Sequence, residues 1–162
     1  MHNLAATYAA EQKYAEAETL YGHVLEIRRR VLGPRHAGTT DTMEFWGETR
    51  IRAGKYGEAE PLLRECLAIQ TQAAPESYAR FHTESLLGQS LLHQAKYAEA
   101  EPLLLSGYAG LAQRETRMPA ARRPSIGEAG HAIVALYESW GKRAEAAQWR
   151  AEVGGLPERR ER

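Results

Sequence analysis

The sequence predicts an all-α solenoid of about four stacked helical hairpins, and three observations predict it. First, the stretch Gly54-Lys55-Tyr56-Gly57-Glu58-Ala59-Glu60-Pro61-Leu62-Leu63 returns almost letter for letter as Ala95-Lys96-Tyr97-Ala98-Glu99-Ala100-Glu101-Pro102-Leu103-Leu104. An earlier copy reads Gln12-Lys13-Tyr14-Ala15-Glu16-Ala17-Glu18, and a worn one reads Gly141-Lys142-Arg143-Ala144-Glu145-Ala146-Ala147. Second, the lysines of successive copies lie 42, 41 and 46 residues apart, a period in the range of stacked supersecondary units. Third, apolar residues between the copies recur at spacings of three and four, which places them on one face of a helix.

Each element follows from its own residues. Residues 3–11 carry Leu4, Ala5, Tyr8 and Ala9, the face of a short first helix. Against the later copies it lacks about one turn, as expected of a stretch taken from a longer array or of a reading frame that starts inside one. Residues 14–32 form a second helix through Tyr14, Ala17, Tyr21, Val24, Leu25, Arg28 and Leu32, ended by Gly33-Pro34. The next unit opens at Thr39-Thr40-Asp41, whose side-chain oxygens are expected to cap the helix start, and its inner face is Met43, Trp46, Gly47 and Ile51. Gly54 suits the left-handed turn before a partner helix over residues 56–72, where Tyr56, Ala59, Leu63 and Cys66 make one stripe.

After the loop Ala73-Ala74-Pro75-Glu76-Ser77, a helix over residues 78–94 carries Leu87, Gly88, Leu91 and Leu92. Its partner starts at Tyr97 and is expected to run to Arg117, since nothing breaks it before Met118-Pro119. Pro119-Ala120-Ala121-Arg122-Arg123-Pro124 reads as a basic, proline-bounded loop that accounts for the 46-residue offset. Residues 125–140 and 143–153 make the last pair, and 154–162 a flexible, solvated tail. The unit boundaries fall at about 1–36, 37–76, 77–122 and 123–153 of a single repeat domain. Pro61 and Pro102, five residues into their helices, imply a mild distortion there and no break.

Composition removes several classes of function. Lys plus Arg and Asp plus Glu are both 21, so no global field favours nucleic acid or an anionic membrane. The basic runs Arg28-Arg29-Arg30, Arg122-Arg123 and Arg159-Arg160 lack an aromatic platform, so no nucleic-acid partner is expected. The single cysteine, Cys66, precludes an internal disulfide framework and a multi-cysteine zinc site. No apolar run approaches the ~20 residues of a membrane span, and a cytoplasmic location is expected.

The repeat resembles a known family at defined positions. Leu4-Ala5, Trp46-Gly47, Leu87-Gly88 and Ile133-Val134 supply the large and small residues of a first helix, and Ala17, Ala59, Ala100 and Ala146 the small residue of the second. This pattern resembles the tetratricopeptide repeat. The longer period, the Lys-Tyr-Ala-Glu-Ala-Glu element and the junction Leu32-Gly33-Pro34-Arg35-His36 resemble the kinesin light chain type of that repeat. It departs from the pattern at Val134, at Ala37 after His36, and at the second junction, which lacks the Leu-Gly element. The resemblance implies a right-handed superhelical α-solenoid whose first helices line a concave groove. The closing segment Leu136-Tyr137-Glu138-Ser139-Trp140-Gly141-Lys142 also resembles the last repeat of some bacterial serine/threonine protein kinases. The sequence holds no Gly-rich phosphate loop, His-Arg-Asp or Asp-Phe-Gly element of a kinase itself.

No constellation of catalytic or metal-binding residues emerges, so no catalytic, cofactor or metal residue is assigned. The six histidines include no pair at the i, i+4 spacing of a metal site. Cys66 falls in a small-residue slot and reads as a buried structural thiol. Within each of the pairs Glu16/Glu18, Glu58/Glu60 and Glu99/Glu101 the side chains diverge around the helix, so they read as solvated faces. Phe45, adjacent to Trp46, cannot share its inward face and is expected to project into the groove.

The lining positions implied by the resemblance are Asn3 and Ala6, then Asp41, Glu44, Phe45, Glu48 and Arg52, then His82, Ser85, Leu86, Gln89 and His93, and finally His131, Ala135 and Glu138. The mainly acidic lining of the second unit implies a protein or peptide partner with Lys or Arg there. Two other functions fit the sequence: a regulatory repeat region of a bacterial serine/threonine kinase or signalling protein, and a structural array that self-associates through its terminal helices.

Overall fold

The computed structural model describes residues 1–117 and 124–154. The expected basic loop up to Arg123 and the tail beyond Gly154 lie outside the described residues. Four helical hairpins follow one another: α1 (His2–Ala10) with α2 (Tyr14–Val31), α3 (Ala37–Arg52) with α4 (Tyr56–Ala73), α5 (Tyr78–Leu92) with α6 (Tyr97–Ala112), and α7 (Pro124–Ser139) with α8 (Arg143–Gly154). Each helix packs on its sequence neighbours, while α1, α3, α5 and α7 also touch along one side of the stack. This is an all-α solenoid of four helix-turn-helix units.

One turn is built four times. The residue before each motif lysine has positive φ: Gln12 at 60°, Gly54 at 75°, Ala95 at 58° and Gly141 at 80°. That conformation lets the lysine amide reach back to a carbonyl five residues earlier, Lys13 to Tyr8, Lys55 to Arg50, Lys96 to Leu91 and Lys142 to Tyr137, at 2.8–3.0 Å. Orphan carbonyls of the first helix are thereby satisfied while the chain reverses.

Small residues set how closely the helices pack. A Cβ on Gly47 would lie 2.5 Å from Leu63 Cδ2, and one on Gly88 would lie 2.6 Å from Leu104 Cγ. Glycine at these matching positions lets Leu63 and Leu104, both fully buried, press against the first helix of their own hairpin. The main core runs from Ala59 and Leu63 through Leu87, Leu91, Leu104 and Leu111 to Ile133, Leu136 and Ala146. The first unit has its own smaller cluster of Ala5, Ala9, Ala17 and Tyr21. Cys66 is buried, and burial pushes its thiol up to about 12, as befits a structural side chain.

The motif glutamates depart from the expected solvated faces. Glu16, Glu58 and Glu99 are exposed, but the second of each pair is not. Glu18 receives Lys55 at 2.9 Å, Glu60 receives Lys96 at 2.8 Å, and Glu101 receives Lys142 at 3.3 Å. These glutamate side chains are only 14%, 15% and 29% exposed. Each bond therefore joins one unit's second helix to the next unit's turn. Hydrogen bonds from Lys96, and then from Arg64 and Gln94, hold the Glu60 carboxyl at about 2. In the last unit the corresponding place belongs to Ala147.

Two helix ends also differ from expectation. The cap of α3 is His36, whose Nδ1 accepts from the Gly38 amide at 3.0 Å. Because the helix already starts at Ala37, the hydroxyls of Thr39 and Thr40 turn back to the carbonyls of Gly33 and Ala37 instead of capping. α6 stops at Ala112, short of Arg117. The Arg114 amide shortens its bond to Leu111, while its guanidinium takes the Gly110 carbonyl and pairs with Glu76, tying the chain to the loop before α5. α4 and α6 continue through Pro61 and Pro102.

Candidate partner-binding groove

The first helices put four different chemistries along one side of the stack. At its N-terminal end Ala6, Ala9 and Ala10 of α1, Tyr21 of α2, and Phe45, Glu48, Thr49 and Arg52 of α3 line a pocket of about 170 Å³. The alanines leave the space, because nothing beyond Cβ extends from α1 at those places. Phe45 is half-buried against the Ala5/Ala17/Tyr21 cluster, with the His2 ring edge-on at 5.1 Å, and forms an apolar wall. On the rim, Arg52 donates to Glu48 at 2.6 Å, with 51% of the arginine side chain exposed. Thr49 spends its hydroxyl on the Phe45 carbonyl at 2.8 Å.

Further along, the side is closed. Glu44, 2% exposed, meets His82 Nδ1 at 3.1 Å and accepts from the Thr83 hydroxyl at 3.1 Å. Thr83 in turn lies 3.9 Å from Cys66 Sγ, whose thiol donates to the Thr40 carbonyl at 3.4 Å. His82, Ser85 and Leu86 are 5%, 2% and 4% exposed. These four positions were expected to line an open groove. They instead lie buried where α5 packs on α3 and α6, with Gly107 of α6 allowing close approach to the backbone of Phe81 and Ser85. Gln89 is half-buried and donates to Ser85 Oγ at 3.4 Å. His93 ends α5 and stacks on Tyr56, with ring centroids 4.2 Å apart at 9°, so it braces the hairpin turn.

The remaining positions are exposed or half-buried. Asn3 and Asp41 are exposed at the start of the array, His131 and Glu138 on α7, while Ala6 and Ala135 are half-buried. Glu138 pairs with Arg150 of α8. The structure thus gathers Ala6, Phe45, Glu48 and Arg52 at one pocket and does not gather the residues of the third and fourth units around it. Among the described residues no group of three His, Cys, Asp or Glu side chains is placed to hold a metal, and no helix is long and apolar enough to cross a membrane.

Comparison with known proteins agrees with this geometry. A model of the tetratricopeptide repeat matches residues 1–72. The units beyond Ala73 repeat the same hairpin and turn. Residues 1–72 match the tetratricopeptide repeat, and the described chain as a whole has the fold of an array of such repeats. Two crystal structures of "Podosopora anserina putative kinesin light chain nearly identical TPR-like repeats", one of them a point variant, superpose on this array at a TM-score of 0.79 and 23% identity. One alignment covers 96% of this array and 74% of that chain, the other 99% and 75%. The crystal structure of BtubC (BKLC) from P. vanneervenii superposes at a TM-score of 0.75 and 17% identity, covering 98% of this array and 65% of that chain. No curated protein matches the sequence. The array thus shares its fold with kinesin light chain repeats.

Proposed function

We propose that this array is a non-catalytic interaction scaffold that holds a segment of a partner protein along the face of its first helices. The pocket of α1 and α3 carries this reading: it joins an apolar recess to an exposed charged rim, the combination that anchors and orients a peptide. An aliphatic or aromatic side chain of the partner enters between Ala6, Ala9 and Phe45. Asp41 and Glu48 lie on the same helix, and they favour a neighbouring Lys or Arg in that segment. Gln89, His93, His131 and Glu138 remain the proposed continuation of the binding face. The enclosed Glu44, His82 and Ser85 act beneath it, fixing the junction of the second and third units.

Selection of displayed random peptides on the intact chain tests this. Enriched peptides share an apolar anchor next to a basic residue. Ala6→Trp, which fills the recess, weakens their binding by more than about tenfold, roughly 1.4 kcal/mol. Glu48→Lys weakens the basic ones selectively. Selected peptides that bind Ala6→Trp as well as the parent protein would sink the assignment of this pocket.

A further inference from the structure

The three bonds between motif lysines and preceding glutamates define what a complete unit junction looks like, and the first unit carries only half of one. Lys13 occupies the place of Lys55, Lys96 and Lys142, yet its ammonium meets Glu11 of its own turn at 2.7 Å, with both side chains about half exposed at 53% and 50%. The apolar positions agree. Met1 is 63% exposed where Met43, 42 residues on, is fully buried. Leu4 is 46% exposed where Leu87 and Ile133, at the same place in later units, are 1% and 0% exposed. Ile27 is 43% exposed, whereas Ile69 at its place in the second unit is half-buried. Met43 shares a buried cluster with Leu25 of the hairpin before it, and Leu87 and Ile133 lie in the core that runs through Ala59, Leu63 and Leu104.

We infer that the face formed by Met1, Leu4, Lys13 and Ile27 is an open stacking interface that receives one more helix hairpin of this repeat type, whose second helix supplies a glutamate to Lys13. Continuity with three existing junctions and charge complementarity argue for this occupant. A second copy stacked head to tail is a poor match. Its α8 offers Ala147 at the glutamate place, Arg150 is turned onto Glu138, and all the exposed large hydrophobic residues among the described ones lie within residues 1–32. Two copies meeting through this same face would oppose their own lysines.

The test extends the chain by one unit in register. Residues 1–42 placed directly before Met1 restore the 42-residue offset, so that Glu18 of the added unit faces Lys13 of the original. A Leu4→Cys substitution in the original unit reports cover of the face, since Cys66 is fully buried and silent. Native-state thiol labelling at that cysteine falls at least about tenfold in the extended protein. Glu18→Ala in the added unit restores about two- to fivefold of the rate, the effect of one partly exposed ion pair, and exchanging the two charges with Lys13→Glu and Glu18→Lys removes that loss. Labelling as fast in the extended protein as in the original overturns the inference. So does protection of Leu4→Cys in the unextended chain that grows with concentration, because a second copy would then be the occupant.

Discussion

The turn before each motif lysine asks one residue to adopt a left-handed backbone, and the four units answer differently. Glycine fills it at Gly54 and Gly141, while Gln12 and Ala95 adopt it against the Cβ penalty. Ala95→Gly therefore raises stability by about 0.5–1 kcal/mol, read as a higher denaturation midpoint with unchanged slope. A second position is mismatched in a different way. Gln70 is 6% exposed, and neither atom of its amide has a hydrogen-bond partner among the described residues. The same place holds Arg28 in the first unit, which reaches the Gly38 carbonyl and the Thr42 hydroxyl, and fully buried Leu111 in the third. Gln70→Leu should gain about 1–2 kcal/mol in chemical denaturation by removing unsatisfied polar atoms, and an equal loss would show that the amide is satisfied by water.

At the scale of the element, the motif is the means by which one hairpin recognises the next. Glu60 sits at the centre of the best-connected junction, with Lys96, Arg64 and Gln94 around it. Its carboxyl titrates at about 2, below the ordinary 4.5, so folding favours the ionised form. The stabilisation is complete above about pH 4.5 and drains away as the pH falls toward 2. Glu60→Gln should lose about 1 kcal/mol at neutral pH and show a flatter fall of Tm between those limits than the parent protein. The existence of the helices, their order and their turns were legible because periodicity and Gly-Lys punctuation are local signals. The role of Glu18, Glu60 and Glu101 was not. Their partners lie 35 or more residues away, and a glutamate beside a helix start looks the same whether water or a lysine faces it. The available clue was that the motif lysine persists through all four units while the glutamate is lost only in the last.

Across the whole molecule, cohesion is uneven. α1 buries only Ala5 and Ala9, whereas eleven residues of α5 are buried between its neighbours. Stability in a stack of near-neighbour contacts follows that gradient. Native-state hydrogen exchange should release α1 amides first and those of α5 and α6 last. Uniform protection from α1 to α6 would mean that the stack opens as one body. Less of the candidate groove was legible than of the fold. Register placed Phe45, Glu48 and Arg52 on one helix side, but it could not tell that Glu44 and His82 would find each other across a junction and leave the surface. The lysine-to-glutamate bonds have a consequence for how such a chain changes length. Each junction takes one partner from either side, so duplicating or excising an interior segment of 41 or 42 residues reproduces the same chemistry at the new seam. Loss of the final segment, by contrast, would strip Glu101 of Lys142 and leave a half-buried carboxylate at the new end. Growth and shrinkage by whole interior units thus keeps the lysine-to-glutamate pairing at the seams, whereas the fourth unit, with Ala147 in the glutamate's place, offers no such acceptor.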